Sequence, residues 1–339
     1  MFGFRALPRT LAAAARDIHD PKLQVQRSVI PDLARLAHTQ ERERAIALLL
    51  EVLASKANDE VRADTAVALA DVGATQACSL LMDAARERHP RLRQMAILAL
   101  GELAEARDPA AQRVIYEALA SDLPALRFQA LLAAARLEID DLAPQLERAL
   151  GDRDPALRYL ALRLVEERWD SLQERSSLIA QARTALGDAE LNVRVAAALL
   201  PFTPLPDAVE RILIDAVNSR LVLDAPEDQQ ALLERVADLK LLQALPGLRS
   251  LAWGLFGLSG SPFAWQARVA LLQLGDARAL GFFRRELSSR QRDRCTHAVV
   301  AVGRAGALAL RPALKEVQRS GRVEQEVVRE ALAALGPDG

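Results

Sequence analysis

The chain is poor in several things, and each shortage closes off a class of protein. Aromatic residues make up 4% of its 339 residues, too few for a strand-rich core built on aromatic and β-branched side chains. Its two cysteines, Cys78 and Cys295, stand far apart in the chain and read as small buried residues in a reducing compartment, not as a disulfide framework. The four histidines, His19, His38, His89 and His297, form no HExxH pattern and no His-Glu pair. The cysteines have no CxxC companion, so a zinc site is not expected. No phosphate-cradling glycine loop precedes a helix; Gly254, Gly257 and Gly260 are spaced by three and lack the strand such a loop needs. No run of about 18 apolar residues spans a membrane. The first residues carry Arg5, Arg9, Arg16 and Asp17 around a short alanine run and lack the apolar core of a signal peptide. Net charge is −1, whereas a dedicated duplex-DNA binder is usually basic. These shortages point to a cytoplasmic protein with no cofactor, no metal and no catalytic constellation.

What the chain has is alanine and leucine, strong helix formers, in a repeating order. The stretch Leu92–Ala104, LRQMAILALGELA, sets the template. With Leu92 as position zero, Ala96, Leu100 and Leu103 fall on the same helical face at positions four, eight and eleven. The template returns at Val61, Leu126, Leu157 and Val193, and more weakly near Leu23, Asp228, Phe263, Gln291 and Glu324. The starts at 61, 92, 126, 157 and 193 lie 31, 34, 31 and 36 residues apart. A period of this length that holds two helices is the mark of an α-solenoid. Turns are punctuated by Asp108-Pro109, by Asp122 with Pro124, and by Asp154-Pro155, where aspartate can cap the next helix and proline costs little in its first turn. Helix pairs are expected near 21–56, 59–88, 90–120, 123–150 and 154–186. Pro201, Pro204 and Pro206 then break the pattern. Degenerate pairs follow near 206–239, 240–275, 276–303 and 305–336.

The segments NDEVRADTAVALADVG and HPRLRQMAILALGELA resemble the HEAT-repeat family, including its phycobilisome-lyase variant. The resemblance is strong from Val61 to Leu200 and loose beyond. It implies an all-α fold, a right-handed α-solenoid of about nine to ten antiparallel helix pairs. The expected organisation is a capping helix over 1–20, regular repeats over 21–200, and degenerate repeats with a C-terminal cap over 201–339. Phe2 and Phe4 could cover the first end or form a tether.

Position one carries Arg62, Arg93, Arg127, Arg158, Arg194 and Arg292. One reading is a cationic ladder for an acidic ligand. The favoured one is a structural ladder, each arginine paired with a turn aspartate such as Asp59, Asp122 or Asp154, or with a carbonyl; this position resembles the inter-repeat Asp–Arg ladder of the family.

In the family's stacks the second helix of each pair lines the concave face. If the template helix is that helix, positions two and six line a groove: Gln94 and Leu98, Phe128 and Leu132, Tyr159 and Arg163, Val195 and Leu199, then Trp265. Many are large and apolar where a solvent face would carry Glu, Lys or Gln, which suits capture of a helix or extended segment of another protein. The competing reading is that superhelical curvature buries them. Two basic stretches, from Arg86 to Arg93 and from Arg284 to Arg294, leave open a nucleic-acid contact like that of HEAT-like DNA glycosylases; solvated turns are the alternative. A chromophore-lyase-like role is implied by resemblance alone. The working expectation is a non-enzymatic scaffold or adaptor for a protein partner.

Overall fold

The computed structural model describes residues 8–139, 142–219, 223, 225–254 and 261–336. The Phe2 and Phe4 expectation and most of the glycine-rich turn after Gly254 lie outside them. The described residues form 21 α-helices and no strand, an all-α solenoid. The chain divides into two compact units, Met1–Gln181 and Ala182–Gly339.

In the first unit, α1 (Leu11–Asp17) precedes α2 (Leu23–Leu36), α3 (Arg42–Ala54), α4 (Asp59–Asp71), α5 (Cys78–Ala84), α6 (Pro90–Leu103), α7 (Pro109–Leu119), α8 (Pro124–Arg136), α9 (Leu142–Leu150) and α10 (Pro155–Glu167). A short α11 (Trp169–Leu172) follows, a turn the repeat pattern did not foretell, and then α12 (Ser176–Thr184), which runs across the division. Helices α2, α4, α6, α8 and α10 pack each on the next as one layer, and α3, α5 and α7 form a second. The template helices therefore share a layer. Their template positions are the buried ones: in α6, Leu92, Ala96, Ala99 and Leu100 are fully buried and Leu103 nearly so. Alanine at the facing positions lets the helices approach closely. A Cβ on Gly101 of α6 would sit 2.9 Å from both Cα and Cβ of Ala133 in α8, so only glycine fits there.

The second unit repeats the plan. Helices α13 (Leu191–Leu199), α15 (Pro226–Asp238), α17 (Ala264–Gln273), α19 (Arg292–Arg304) and α21 (Gln325–Ala334) form one layer. Behind them lie α14 (Asp207–Asn218), α16 (Leu245–Trp253), α18 (Ala277–Leu287) and α20 (Arg311–Ser320). The core runs through Leu213, Leu232, Val236, Leu271, Phe283 and Val299. The prolines at 201, 204 and 206 lie between α13 and α14, where the helix stops as the sequence predicts.

Helix starts follow the turn chemistry. Asp108, Asp154 and Asp276 accept from the backbone N–H of Ala110, of Ala156, and of Arg278 and Ala279. Asn58 caps α4, and His89 caps α6 through Nδ1, which accepts from Leu92 N–H. Asp122 does not cap α8; the capping position there is Leu123. Helix ends follow a rule that the template did not carry. After α4, α8, α15, α17 and α19, the N–H five residues on bonds back to the helix: Ala74 to Leu69, Ile139 to Ala134, Leu241 to Val236, Asp276 to Leu271 and Ala307 to Val302. The residue before each donor has positive φ, as a Schellman close requires. It is Gly73, Gly275 and Gly306 in three cases, but Glu138 and Lys240 in the others.

Candidate functional site

The arginines at position one point back into the stack. Arg62 is 9% exposed; it donates to the Leu53 carbonyl, to Asp59, and with two nitrogens to Glu87. Arg93 donates to the Ala85 carbonyl. Arg127 grips both oxygens of Asp152 at 2.7 and 2.8 Å and the Ser121 carbonyl at 2.9 Å. Arg158 reaches the carbonyls of Asp152 and Arg153, and Arg194 those of Asp188 and Ala189. The carboxylate partners of these arginines thus include Glu87 and Asp152 alongside Asp59, and the recurring acceptor is a main-chain oxygen at the end of the preceding helix or in the connection after it. In α17, where position one is Ala264, Arg268 at position five takes the Ala252 carbonyl with Nε and a terminal nitrogen. Arg292 is different: it lies exposed and pairs with Glu324.

These clamps shift the acids they hold. The hydrogen bonds from Arg62, with its charge, hold the Glu87 carboxyl below the usual carboxylate range against a smaller opposing effect of burial. At Asp152 burial is the largest influence and opposes ionisation. The Arg127 and Asp154 N–H hydrogen bonds, with the charges of Arg127 and Arg158, outweigh it and leave that carboxyl lowered too.

Positions two and six of the template helices α6, α8 and α10 in the first unit are only partly enclosed. Gln94 and Leu98 on α6, Phe128 and Leu132 on α8, and Tyr159 and Arg163 on α10 are all half-buried. On α4 the equivalent Ala63 is buried and Val67 half-buried. Charges around this row form a second network, one that sequence reasoning missed. Arg27 on α2 pairs with Asp64 on α4; Arg91 on α6 pairs with Glu60 and Asp64; Arg136 on α8 pairs with Glu102 on α6; Arg163 pairs with Glu166 within α10. Acid and base at matching places in successive repeats were the available signal. The first basic stretch is largely spent in such pairs, since Arg86 also grips Glu117. In the second stretch Arg294 holds Glu286, while Arg284, Arg285 and Arg290 lie exposed.

In the second unit Val195 and Leu199 are 1% and 7% exposed, so their side chains belong to the packing of α13 and line no open face. Helix α13 has nine residues, and everything from Val195 to Leu200 is buried. Trp265 does line an opening, a cleft of about 310 Å³ walled by α15, α17 and α19. Its ring meets Phe282, Phe283 and His297 edge to face at centroid distances of 6.1, 5.3 and 6.3 Å. Val300, 52% exposed, stands on the α19 side. Glu234, Asp238 and Arg304 supply its charges.

Among the described residues no group of three or more His, Cys, Asp or Glu is placed to hold a metal ion. Nor is any helix of the described residues long and apolar enough to cross a membrane. Both cysteines are free thiols; burial pushes each upward in pKa, and Cys295 donates to the Leu287 carbonyl.

A family model of HEAT repeats matches twice, over residues 7–101 and 46–135. No curated protein matches the chain. Among solved structures, an engineered protein is 16% identical with a TM-score of 0.44, covering 97% of this chain and 99% of its own. The YibA protein of E. coli is 14% identical with a TM-score of 0.46, covering 92% and 96%. The complex of CpcE and CpcF of phycocyanin lyase from Nostoc sp. is 16% identical with a TM-score of 0.44, covering 73% and 96%. Over α1 to α8 the chain matches the HEAT-repeat family model, and the same helix-pair plan runs through both units of an all-α solenoid.

Proposed function

We propose that this HEAT-repeat chain is a non-enzymatic scaffold or adaptor that binds another protein through the template-layer face of its first unit, the face that is concave in stacks of this family. The observation that carries the reading is the row of half-buried Leu98, Phe128, Leu132 and Tyr159 on three successive helices, bordered by ion pairs that hold the flanking charges in place. A helix or extended segment laid across the row removes apolar surface on both sides from water. Full burial of one large side chain contributes roughly 1.5–3 kcal/mol, and these half-buried ones add the remaining part of that. Aromatic anchors of limited freedom suit such a surface. The two free thiols fit a reducing compartment, and a cytoplasmic location follows from that reading.

The test is affinity purification with the full chain, identification of what co-elutes, and repetition with Phe128→Ser and Tyr159→Ser combined. The partner is expected to be lost while the melting temperature changes little. Retention of the same partner by the doubly substituted chain removes this face from consideration.

A further inference from the structure

The cleft in the second unit has a chemistry of its own. Its α15 wall presents two carboxylates one helical turn apart, Glu234 and Asp238. Glu234 Oε1 takes hydrogen bonds from Gln230 and from Arg304, each at 2.7 Å, and Asp238 Oδ1 takes one from Gln273 at 2.8 Å. No bond from a described residue reaches the second oxygen of either group. The α17 wall adds Gln266 and Gln273. The fixed charges on this one opening are thus two carboxylates, each with an oxygen not taken by a described residue, and the single cation Arg304. Val269, Val300 and the ring of Trp265 supply apolar wall. The volume sits at the lower end of ligand pockets, room for one side chain and not for a folded element.

Charge complementarity and the apolar wall ask for an occupant with an apolar stem and a many-donor cationic head. We propose that this cleft receives one arginine side chain from an extended segment of a partner protein. A guanidinium carries five donors in a planar fork and can serve two carboxylates together, which an ammonium does less well. The protein's own Arg304 already rests a guanidinium on Glu234 at the mouth, and an incoming arginine joins or displaces it. Arg304 is 58% exposed at the side chain, so it can swing out without disturbing the core.

The test uses the full chain and the blocked pentapeptide Ala-Ala-Arg-Ala-Ala, followed by the Trp265 indole N–H signal in NMR, assigned with Trp265→Phe. Saturable binding is expected, weakened about tenfold or more when citrulline replaces arginine, since one lost charge-assisted contact is worth that much. Glu234→Gln with Asp238→Asn should abolish it, and both sites are exposed enough to leave folding intact, checked by circular dichroism. Arg304→Ala, which removes the competing cation, should tighten it. Equal binding of the citrulline peptide, unchanged binding by the double variant, or loss of binding in Arg304→Ala each overturns the proposal. So does free L-arginine amide binding as tightly as the peptide, which would make the cleft a small-molecule site. The cleft lies in the second unit, so failure here leaves the partner face of the first unit untouched.

Discussion

Arg127 joins three turns of chain through one side chain: the end of α7 at Ser121, its own helix, and Asp152 before α10. Both partners are largely buried, at 16% and 14% side-chain exposure, so the pair is not a solvated surface bridge. Arg127→Ala leaves Asp152 facing a vacated space, and a loss of about 1–3 kcal/mol is expected in urea unfolding. Glu87 and Asp152 ionise more readily folded than unfolded. Their contribution is whole above the ordinary carboxylate range near pH 4 and is lost as pH falls through the lowered folded values. The deficit of Asp152→Asn relative to the parent chain should therefore shrink on acidification below about pH 4; an unchanged deficit would assign it to another cause. The sequence made the ladder arginines legible because they recur at one position. It did not make Glu87 or Asp152 legible, because a carboxylate 25 residues away becomes a partner only once the helices have stacked.

Helix existence and type were readable because positions zero, four and eight are buried in α4, α6, α8 and α10, as is position eleven (Val72, Leu103 and Leu137) in the first three repeats. The closes were less so. A glycine announces a left-handed turn, as at Gly73 and Gly275, but Glu138 and Lys240 occupy the same conformation with nothing in their chemistry to say so. They are held there by the i to i−5 bonds that follow, Ile139 to Ala134 and Leu241 to Val236. Lys240→Gly should relieve this strain and raise stability by about 1 kcal/mol, read as a shift in the urea midpoint with an unchanged slope. The outcome of the groove expectation also belongs to this scale. The named positions are half-buried on the thirteen-residue helices α8 and α10 and buried on α13, whose nine residues are buried from Val195 onward. Length and enclosure of a helix are set by its neighbours, and a single-helix template carries no information about them.

The sequence places a change of repeat quality at Pro201, and the compact units divide at Gln181. In a stack each helix packs mainly on the ones beside it, so stability is distributed as local terms plus neighbour terms. Leu100→Ala in α6 should cost about 2–5 kcal/mol locally. Hydrogen exchange should show the loss first in α6 and in α4 and α8, which pack directly on it, and least in the second unit; a uniform loss across all helices would mean that the chain unfolds as one block. The arginine clamps add something further. Arg93, Arg158, Arg194 and Arg268 fasten to main-chain oxygens, which every residue possesses. The fastening therefore survives nearly any side-chain change at the residue that receives it. A chain joined this way can drift in spelling, or gain and shed whole modules, while each newcomer still finds a hook waiting at the seam.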